Sequence, residues 1–266
     1  MGMYILSTGW SDSLQGYQSH YHDAHELLYV VEGEICATVN GRQIQAGAGE
    51  LLFFSRFEEH SIQILSPVYQ RYTLLICPEF SGRGENYLLS SVLVNRSAGV
   101  AHVVRCEEEQ ETIATILKDM YEEYRDKRPL YETVLDALLL RLLCQVYRLA
   151  PQLFVPGDHK NAGMIRSLQA RFEGEYQKRF SLGALAVEYH VSTSHLAHTF
   201  KKITGYSPMD YLMSCRVSAA KRLLAGSDKS IGEIVELCGF TDESNFSRTF
   251  RMKTGITPSA FRKQNQ

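Results

Sequence analysis

The sequence predicts an α+β chain in two parts. An N-terminal β-barrel of jelly-roll type carries two helices after it. An all-α part follows, with two helix-turn-helix units joined by a long helix. Three observations predict this. Short apolar runs rich in β-branched and aromatic residues fill residues 1–105. The last hundred residues contain an internal repeat at helical spacing. Charge is segregated: residues 160–266 hold 16 Lys+Arg against 9 Asp+Glu, whereas residues 1–159 hold 12 against 21. A basic half beside an acidic half points to a nucleic-acid-binding module attached to something else. A length of 266 residues suits about two domains.

The strand runs are Glu26–Val31, Glu34–Val39, Gln43–Ala46, Leu51–Phe54, His60–Ile64 and Tyr69–Ile76. Turn signals separate them: Glu32-Gly33, Asn40-Gly41, Gly47–Gly49 and Ser66-Pro67. Asn40-Gly41 is a type I′ hairpin signal. Many short strands at even spacing predict a barrel or double-sheet jelly roll. Aromatic residues here (Trp10, Tyr29, Phe53, Phe54, Tyr72) are candidates for a pocket wall or for plain core.

One spacing in this half carries chemistry. His20-x-His22-x-x-x-Glu26 is followed by Gly33, and later by Gly49 and His60. This pattern resembles the cupin barrel, with Ser55 and Phe57 standing where that family has Pro and Gly. The resemblance implies that His20, His22, Glu26 and His60 correspond to the metal ligands of metal-binding cupins. Three imidazoles and a carboxylate suit Fe, Mn, Ni or Zn. On a straight strand Glu26 would lie about 13 Å beyond His22, so the chain has to bend near Asp23-Ala24. Two alternatives stand: a transition metal, or an inherited scaffold bonded to water or to an organic effector. His25, of opposite parity, is expected at the rim or surface. No cofactor is otherwise implied.

Glu107–Lys127 and Leu130–Leu149 read as helices, with Pro129 expected in the first turn of the second. The second is apolar on more than one face and so needs more than one partner. The barrel is one. A second copy of the chain is the other, giving a homodimer through 107–149; the alternative is packing within one chain. Residues 150–160, with two prolines and a glycine, read as a linker. The expected domains are therefore 1–149 (barrel 1–105, helices 107–149) and 161–266.

In the last part, Ser230 and Glu233 form a capping box, and Ile234, Val235 and Cys238 recur at helical spacing. Gly239 breaks that helix, and Thr241 is expected to cap the next. Gly255 ends it and Pro258 opens another. The segment Asn245–Pro258, NFSRTFRMKTGITP, echoes His195–Pro208, HLAHTFKKITGYSP, at an offset of 50. Before that block the offset is 49, pairing Ser192 with Thr241. The first outward helix buries Leu196, Phe200 and Ile203. The connecting helix, Pro208–Ala225, is about 27 Å long at 1.5 Å per residue. That length suits two helices entering grooves about 34 Å apart.

The two units, their paired Thr-Gly-x-Ser/Thr-Pro blocks and the ending Gly-Phe-Thr…Phe-Ser-Arg-Thr-Phe resemble the AraC/XylS family of bacterial transcription regulators over residues 161–264. A cupin-like first half is that family's common effector and dimerisation arrangement. Two departures are visible: His190 where a Gly is usual, and Val235 where a small Ala is usual. The resemblance implies base-facing Ser194, Ala197 and His198 on the first reading helix. On the second it implies Glu243, Ser244, Asn245, Ser247 and Arg248. Arg248 suits guanine and Glu243 suits cytosine N4. Ser192, Lys201, Lys202, Thr241, Arg251 and Lys253 are expected on phosphates.

The function expected is a small-molecule-controlled activator that binds double-stranded promoter DNA and RNA polymerase, and is no enzyme. The alternatives are a metal-dependent cupin enzyme or metal sensor with a DNA-binding tail, and a constitutive dimeric DNA-binding protein. Six scattered cysteines without a CxxC pair, no leader and no run of 18 apolar residues predict a reduced, cytoplasmic protein away from membranes.

Overall fold

The computed structural model describes residues 4–39, 41–78, 80, 87–94, 103–154 and 159–265. Two compact units divide the chain, Met1–Gly157 and Asp158–Gln266.

In the first unit the strands are β1 (Ile5–Ser11), β2 (Tyr17–His20), β3 (His25–Glu32), β4 (Glu34–Val39), β5 (Arg42–Gly47), β6 (Glu50–Phe54), β7 (His60–Ile64), β8 (Gln70–Ile76) and β9 (Val103–Arg105). They form two antiparallel sheets, ordered β1-β8-β3-β6-β9 and β2-β7-β4-β5. Leu28, Val30, Leu52 and Phe54 from the larger sheet meet Ile35, Ala37, Val39 and Ile62 from the smaller. The larger sheet is covered on its other face as well. Leu27, Tyr29, Leu51 and Phe53 pack against α1 (Tyr87–Val94), α2 (Gln110–Asp126) and α3 (Tyr131–Leu149). A sheet covered on both faces explains why β3 reads as a continuous apolar run rather than an alternating one.

Val39 pairs with Arg42, leaving a two-residue connection with Gly41 at φ 78°; Asn40, the other half of the expected turn, lies outside the described residues. Gly33 has φ 93°, and a Cβ there would stand 2.1 Å from the Val68 carbonyl oxygen. Only glycine fits that turn.

The α2–α3 connection departs from expectation. Lys127 ends α2 in the left-handed region and Leu130 precedes α3 in the same region. Pro129 therefore lies in the turn, before the helix rather than in its first turn. Ile116, Met120, Leu135, Leu139, Leu142 and Leu143 are all buried between these helices and the sheet. Most of the apolar residues of α3 thus find partners inside this unit, while Val134 and Tyr147 stay exposed.

The expected linker is shorter than 150–160. Ala150, Leu153 and Phe154 are buried in the same core, and residues 155–158 lie outside the described ones. A further helix, α4 (His159–Glu175), already begins at 159.

The second unit continues with α5 (Leu182–Glu188), α6 (Thr193–Thr204), α7 (Pro208–Gly226), α8 (Ile231–Leu237), α9 (Glu243–Thr254) and α10 (Pro258–Asn265). Helix α7 is buried along most of its length, including Tyr211, Leu212, Cys215, Val217, Ala220 and Leu224. It packs against α4 and α6 and against α8, α9 and α10. Two aromatic clusters mark these sides: Phe172–Phe200–Tyr211 and Phe240–Phe246–Phe250–Phe261. A helix buried on all sides is a shared spine.

Candidate functional site

The two helix-turn-helix units are built alike. Helices α5 and α8 correspond at an offset of 49, and α6 and α9 at 50. In each turn one residue takes the left-handed conformation, His190 at φ 55° and Gly239 at φ 75°. The residue after it closes the turn in the same way in both units. The Val191 amide donates to the Ala186 carbonyl and the Phe240 amide to the Val235 carbonyl, both at 3.0 Å. Val235 and Ala186 are thus equivalent, and both are buried.

The extra residue of the second unit is Thr241. Ser192 caps α6 by accepting from the His195 amide, and Asp242, not Thr241, caps α9 by accepting from the Asn245 amide. Thr241 instead donates its hydroxyl to Asp242. The structural counterpart of Ser192 is therefore Asp242, because the insertion falls before the cap. The capping box of α8 forms as expected, with Ser230 and Glu233 satisfying each other's backbone amides.

Each reading helix turns a polar face outward. On α6, Ser194, His198, Lys201 and Lys202 are exposed and Ala197 is half-buried. On α9, Glu243, Ser244, Arg248 and Arg251 are exposed, with Asn245 and Ser247 half-buried. Arg248 donates to the Asn245 side-chain oxygen at 3.4 Å. The Glu243 carboxylate lies back over α8, about one methyl's contact distance from Gly232 (3.1 Å to a Cβ built there). A groove of about 580 Å³ runs along α9 between Ser247, Arg248, Arg251, Met252, Gly255 and Thr257.

Lys253 is not free for a phosphate. It is half-buried and donates to Ser214 of α7 at 3.0 Å. Its counterpart at an offset of 50 is Ile203, a position expected to face inward, so the repeat itself carried the signal.

In the first unit, His20, His22, Glu26 and His60 come together. One ligand atom from each lies within 4.8 Å of all the others. The bend is at Asp23-Ala24, as the spacing required. Asp23 is held by the Arg56 guanidinium at 2.5 Å, and the Phe57 amide donates to the His22 carbonyl at 3.0 Å. Phe57 adopts φ 62°, so the residue standing where cupins have Gly keeps that backbone conformation. His20 ends β2, but His22 lies beyond it, so the two histidines share no strand face. His25 is buried and accepts from the Arg56 amide at 3.1 Å. It is not at the rim, because β3 is covered on both faces.

Glu26 accepts from His22 Nε2 at 2.8 Å and from His60 Nε2 at 3.2 Å. Burial alone would raise its carboxyl; the two imidazoles outweigh burial and hold it at about 2. Burial alone would lower the His60 imidazole, but its bond to Glu26 raises it above 6.5. His22 Nδ1 faces the Ala24 carbonyl at 3.0 Å and His60 Nδ1 faces the Glu58 carbonyl at 2.8 Å. Carbonyls on Nδ1 fix the rings so that Nε2 points at the shared centre, the arrangement that prepares histidines for a metal. Four donors about 2 Å from one ion stand about 3–4 Å apart, so a small contraction of this set would suffice. The residues fit a first-row divalent ion; they equally form a closed His–Glu–His hydrogen-bond network.

All six cysteines are free. Among the described residues no helix is long and apolar enough to cross a membrane.

Comparison with known proteins bears on both units. Residues 185–264 match the helix-turn-helix domain family, and residues 12–69 match the cupin domain family. The HTH-type transcriptional activator RhaR of Pectobacterium atrosepticum is 28% identical over 254 residues, covering 92% of this chain and 86% of that protein. The HTH-type transcriptional activator RhaS of an Enterobacter species is 24% identical over 248 residues, covering 92% and 87%. Among solved structures, ToxT of Vibrio cholerae superposes with a TM-score of 0.65 at 13% identity over 99% of both chains. ToxT with bound unsaturated fatty acid gives 0.61 at 14% over 98% and 97%. At such identity the likeness shows the fold.

Proposed function

We propose that the chain is a member of the AraC/XylS family of bacterial transcription regulators, and that its two units are the output and the input of one effector-responsive activator. It is a DNA-binding regulator and not an enzyme. The observation that carries the reading is the matched pair of outward faces. Ser194 and Ser244, His198 and Arg248, and Lys201 and Arg251 occupy equivalent positions on α6 and α9, 50 residues apart.

Helix α7 holds those two faces in one body, so both enter successive major grooves on one side of promoter DNA. Ser194, Ala197 and His198 meet the bases of one groove. Ser244, Asn245, Ser247 and Arg248 meet those of the next, with Glu243 beside them. Arg248 takes guanine through its fork. Lys201, Lys202, Arg251 and the cap amides at Ser192 and Asp242 take phosphates. A small molecule in the first unit changes promoter occupancy by favouring one of two arrangements of the protein. Two copies pair through the 107–149 helices, where Leu130 is 77% and Val134 39% exposed. RNA polymerase is the further partner, and the cytoplasm is the setting consistent with these roles.

Selection from random duplexes tests this. Two enriched boxes separated by about one helical turn, 10–10.5 base pairs, are expected. Arg248→Ala should relax one position and cost about 1–3 kcal/mol of specific binding. Absence of any enriched sequence, or a single box, would overturn the paired reading.

A second reading concerns the input. The convergence of His20, His22, Glu26 and His60 gives the barrel a donor set that a divalent metal would fit. Such an ion would supply a Lewis-acidic centre, while the chain holds the three rings and the carboxylate in place. Elemental analysis of purified protein, with His60→Ala as control, decides it.

A further inference from the structure

Arg71 lies on β8, opposite Ser11 of β1 and Val30 of β3. Val30 faces the space between the two sheets, and cross-strand partners share a face. Arg71 therefore points into the barrel, where it is 4% exposed. Its guanidinium lies between two rings, 4.8 Å from the centre of Tyr17 and 4.9 Å from that of Tyr69. One terminal nitrogen donates to the Ser13 carbonyl at 3.2 Å, and the other to the Tyr17 hydroxyl.

These contacts leave the cation incomplete. Among the described residues no carboxylate lies within ion-pair distance of Arg71. Its Nε is buried without a well-aligned hydrogen-bond partner, and the Tyr69 hydroxyl beside it meets nothing closer than the guanidinium itself. A buried cation without a counter-charge is costly, and tyrosine rings only offset part of that cost. Buried orphan donors are rare in native proteins unless something else fills them. Glu26 makes no ion pair with Arg71; its Oε2 accepts from both His22 and His60. The surrounding half of the chain is acidic, with 21 Asp+Glu against 12 Lys+Arg. An unneutralised guanidinium inside it is a selective feature for an anion.

We propose that the barrel interior binds a small organic carboxylate, with Arg71 as its charge partner and the Tyr69 hydroxyl as a second donor. The guanidinium fork suits the two oxygens of a carboxylate. Tyr69, Val30 and Ile62 belong to one buried apolar cluster, against which the apolar body of such a ligand would pack. Tyr17 also lies against His20, with ring centres 5.8 Å apart, so the carboxylate site adjoins the histidine cluster. This inference rests on reading the first unit as the input of the regulator and names the chemistry of that input.

Thermal melting of the full chain tests it, with acetate, pyruvate and benzoate as probes at matched ionic strength. Acetamide, benzamide, inorganic phosphate and a neutral sugar are the comparison arms. A ligand that binds only the native state raises its melting temperature. The expected result is a rise with at least one carboxylate and none with its amide. That rise should vanish in Arg71→Met and shrink in Tyr69→Phe. Tyr69→Phe keeps the ring, so it decides the matter if Arg71→Met does not fold. The single Trp10, next to Ser11 on β1, gives an independent fluorescence readout of the same titration. The proposal is overturned if no carboxylate raises the melting temperature. It is equally overturned if only phosphate or the sugar does, or if the rise is unchanged in Tyr69→Phe or in folded Arg71→Met. Selection of DNA by the wild type with and without the carboxylate, measured in parallel, tests the regulator reading separately: no enriched sequence in either state would sink that reading and leave the carboxylate titration standing.

Discussion

Lys253 of α9 reaches across to Ser214 of α7, its ammonium 3.0 Å from the hydroxyl, while Arg251 two residues earlier stands in solvent. The two cations of one helix therefore have different work. Lys253→Ala should lower stability by up to about 1 kcal/mol, the size of one hydrogen bond, and leave the salt dependence of DNA binding unchanged. Arg251→Ala should weaken all sequences alike and reduce the slope of log affinity against log salt by about one contact. Titrations at several salt concentrations separate them; equal slopes for both variants would contradict the placement.

The two turns respond oppositely to substitution. At Gly239 a Cβ would stand 2.5 Å from the Gln177 backbone oxygen and 2.7 Å from its Cα, at φ 75°. Gly239→Ala therefore meets both a backbone clash and left-handed strain, and should cost at least about 2 kcal/mol. His190 already bears that strain at φ 55° and is exposed. His190→Gly relieves it while loosening the unfolded chain, so its net change should stay within about 1 kcal/mol. Chemical denaturation of the two variants checks the contrast.

The caps of α8 and α9 make stability acid-sensitive. The Asn245 amide holds the Asp242 carboxyl below its ordinary 3.8, and the Ser230 amide holds Glu233 below 4.5. A carboxyl depressed in the folded state stabilises fully above its unfolded value, and that contribution is lost as pH falls through the folded value. The melting temperature should lose these contributions below about pH 4. Asp242→Asn, which still caps, should remove part of that acid slope. An unchanged slope in circular-dichroism melts would rule the cap out as its source.

In the first unit, Leu139 is fully buried on α3 among residues of α2 and the sheet. Leu139→Ala should cost about 2–5 kcal/mol. Urea unfolding followed at the far-ultraviolet band measures it, and a loss under 1 kcal/mol would mean that α3 packs less tightly than described.

Much of this architecture was legible because periodicity reports burial. Glu34–Val39 and His60–Ile64 are the strands expected from their alternation. Strands β1 and β2 were not found, since Ile5–Ser11 and Tyr17–His20 mix small, polar and exposed residues on outer strands. Helix α1 carries little amphipathic stripe, because two adjacent serines, 90 and 91, are all that interrupts its apolar residues.

The histidine–glutamate set could be read because a bend was the single geometric condition, and the chain bends there. His25 could not be placed, since parity tells inside from outside only when one face of a sheet is wet. Arg71 went unnoticed for a related reason. A lone cation in a strand reads as solvent-facing until its cross-strand neighbour Val30 is known to face inward. In the second unit the repeat gave the reading helices, but only coordinates show which of Thr241 and Asp242 carries the cap.

The buried spine α7 has a consequence for how such a protein can vary over time. One residue added within it would turn the second helix-turn-helix by about 100° relative to the first and shift it by about 1.5 Å. Both reading faces could then no longer address the same side of a duplex. On the proposed two-groove reading, the length of α7 is therefore set by the pitch of DNA, and an insertion belongs outside it, as Thr241 is ahead of α9. New target specificity has to arise by exchanging side chains on a spacing that cannot drift.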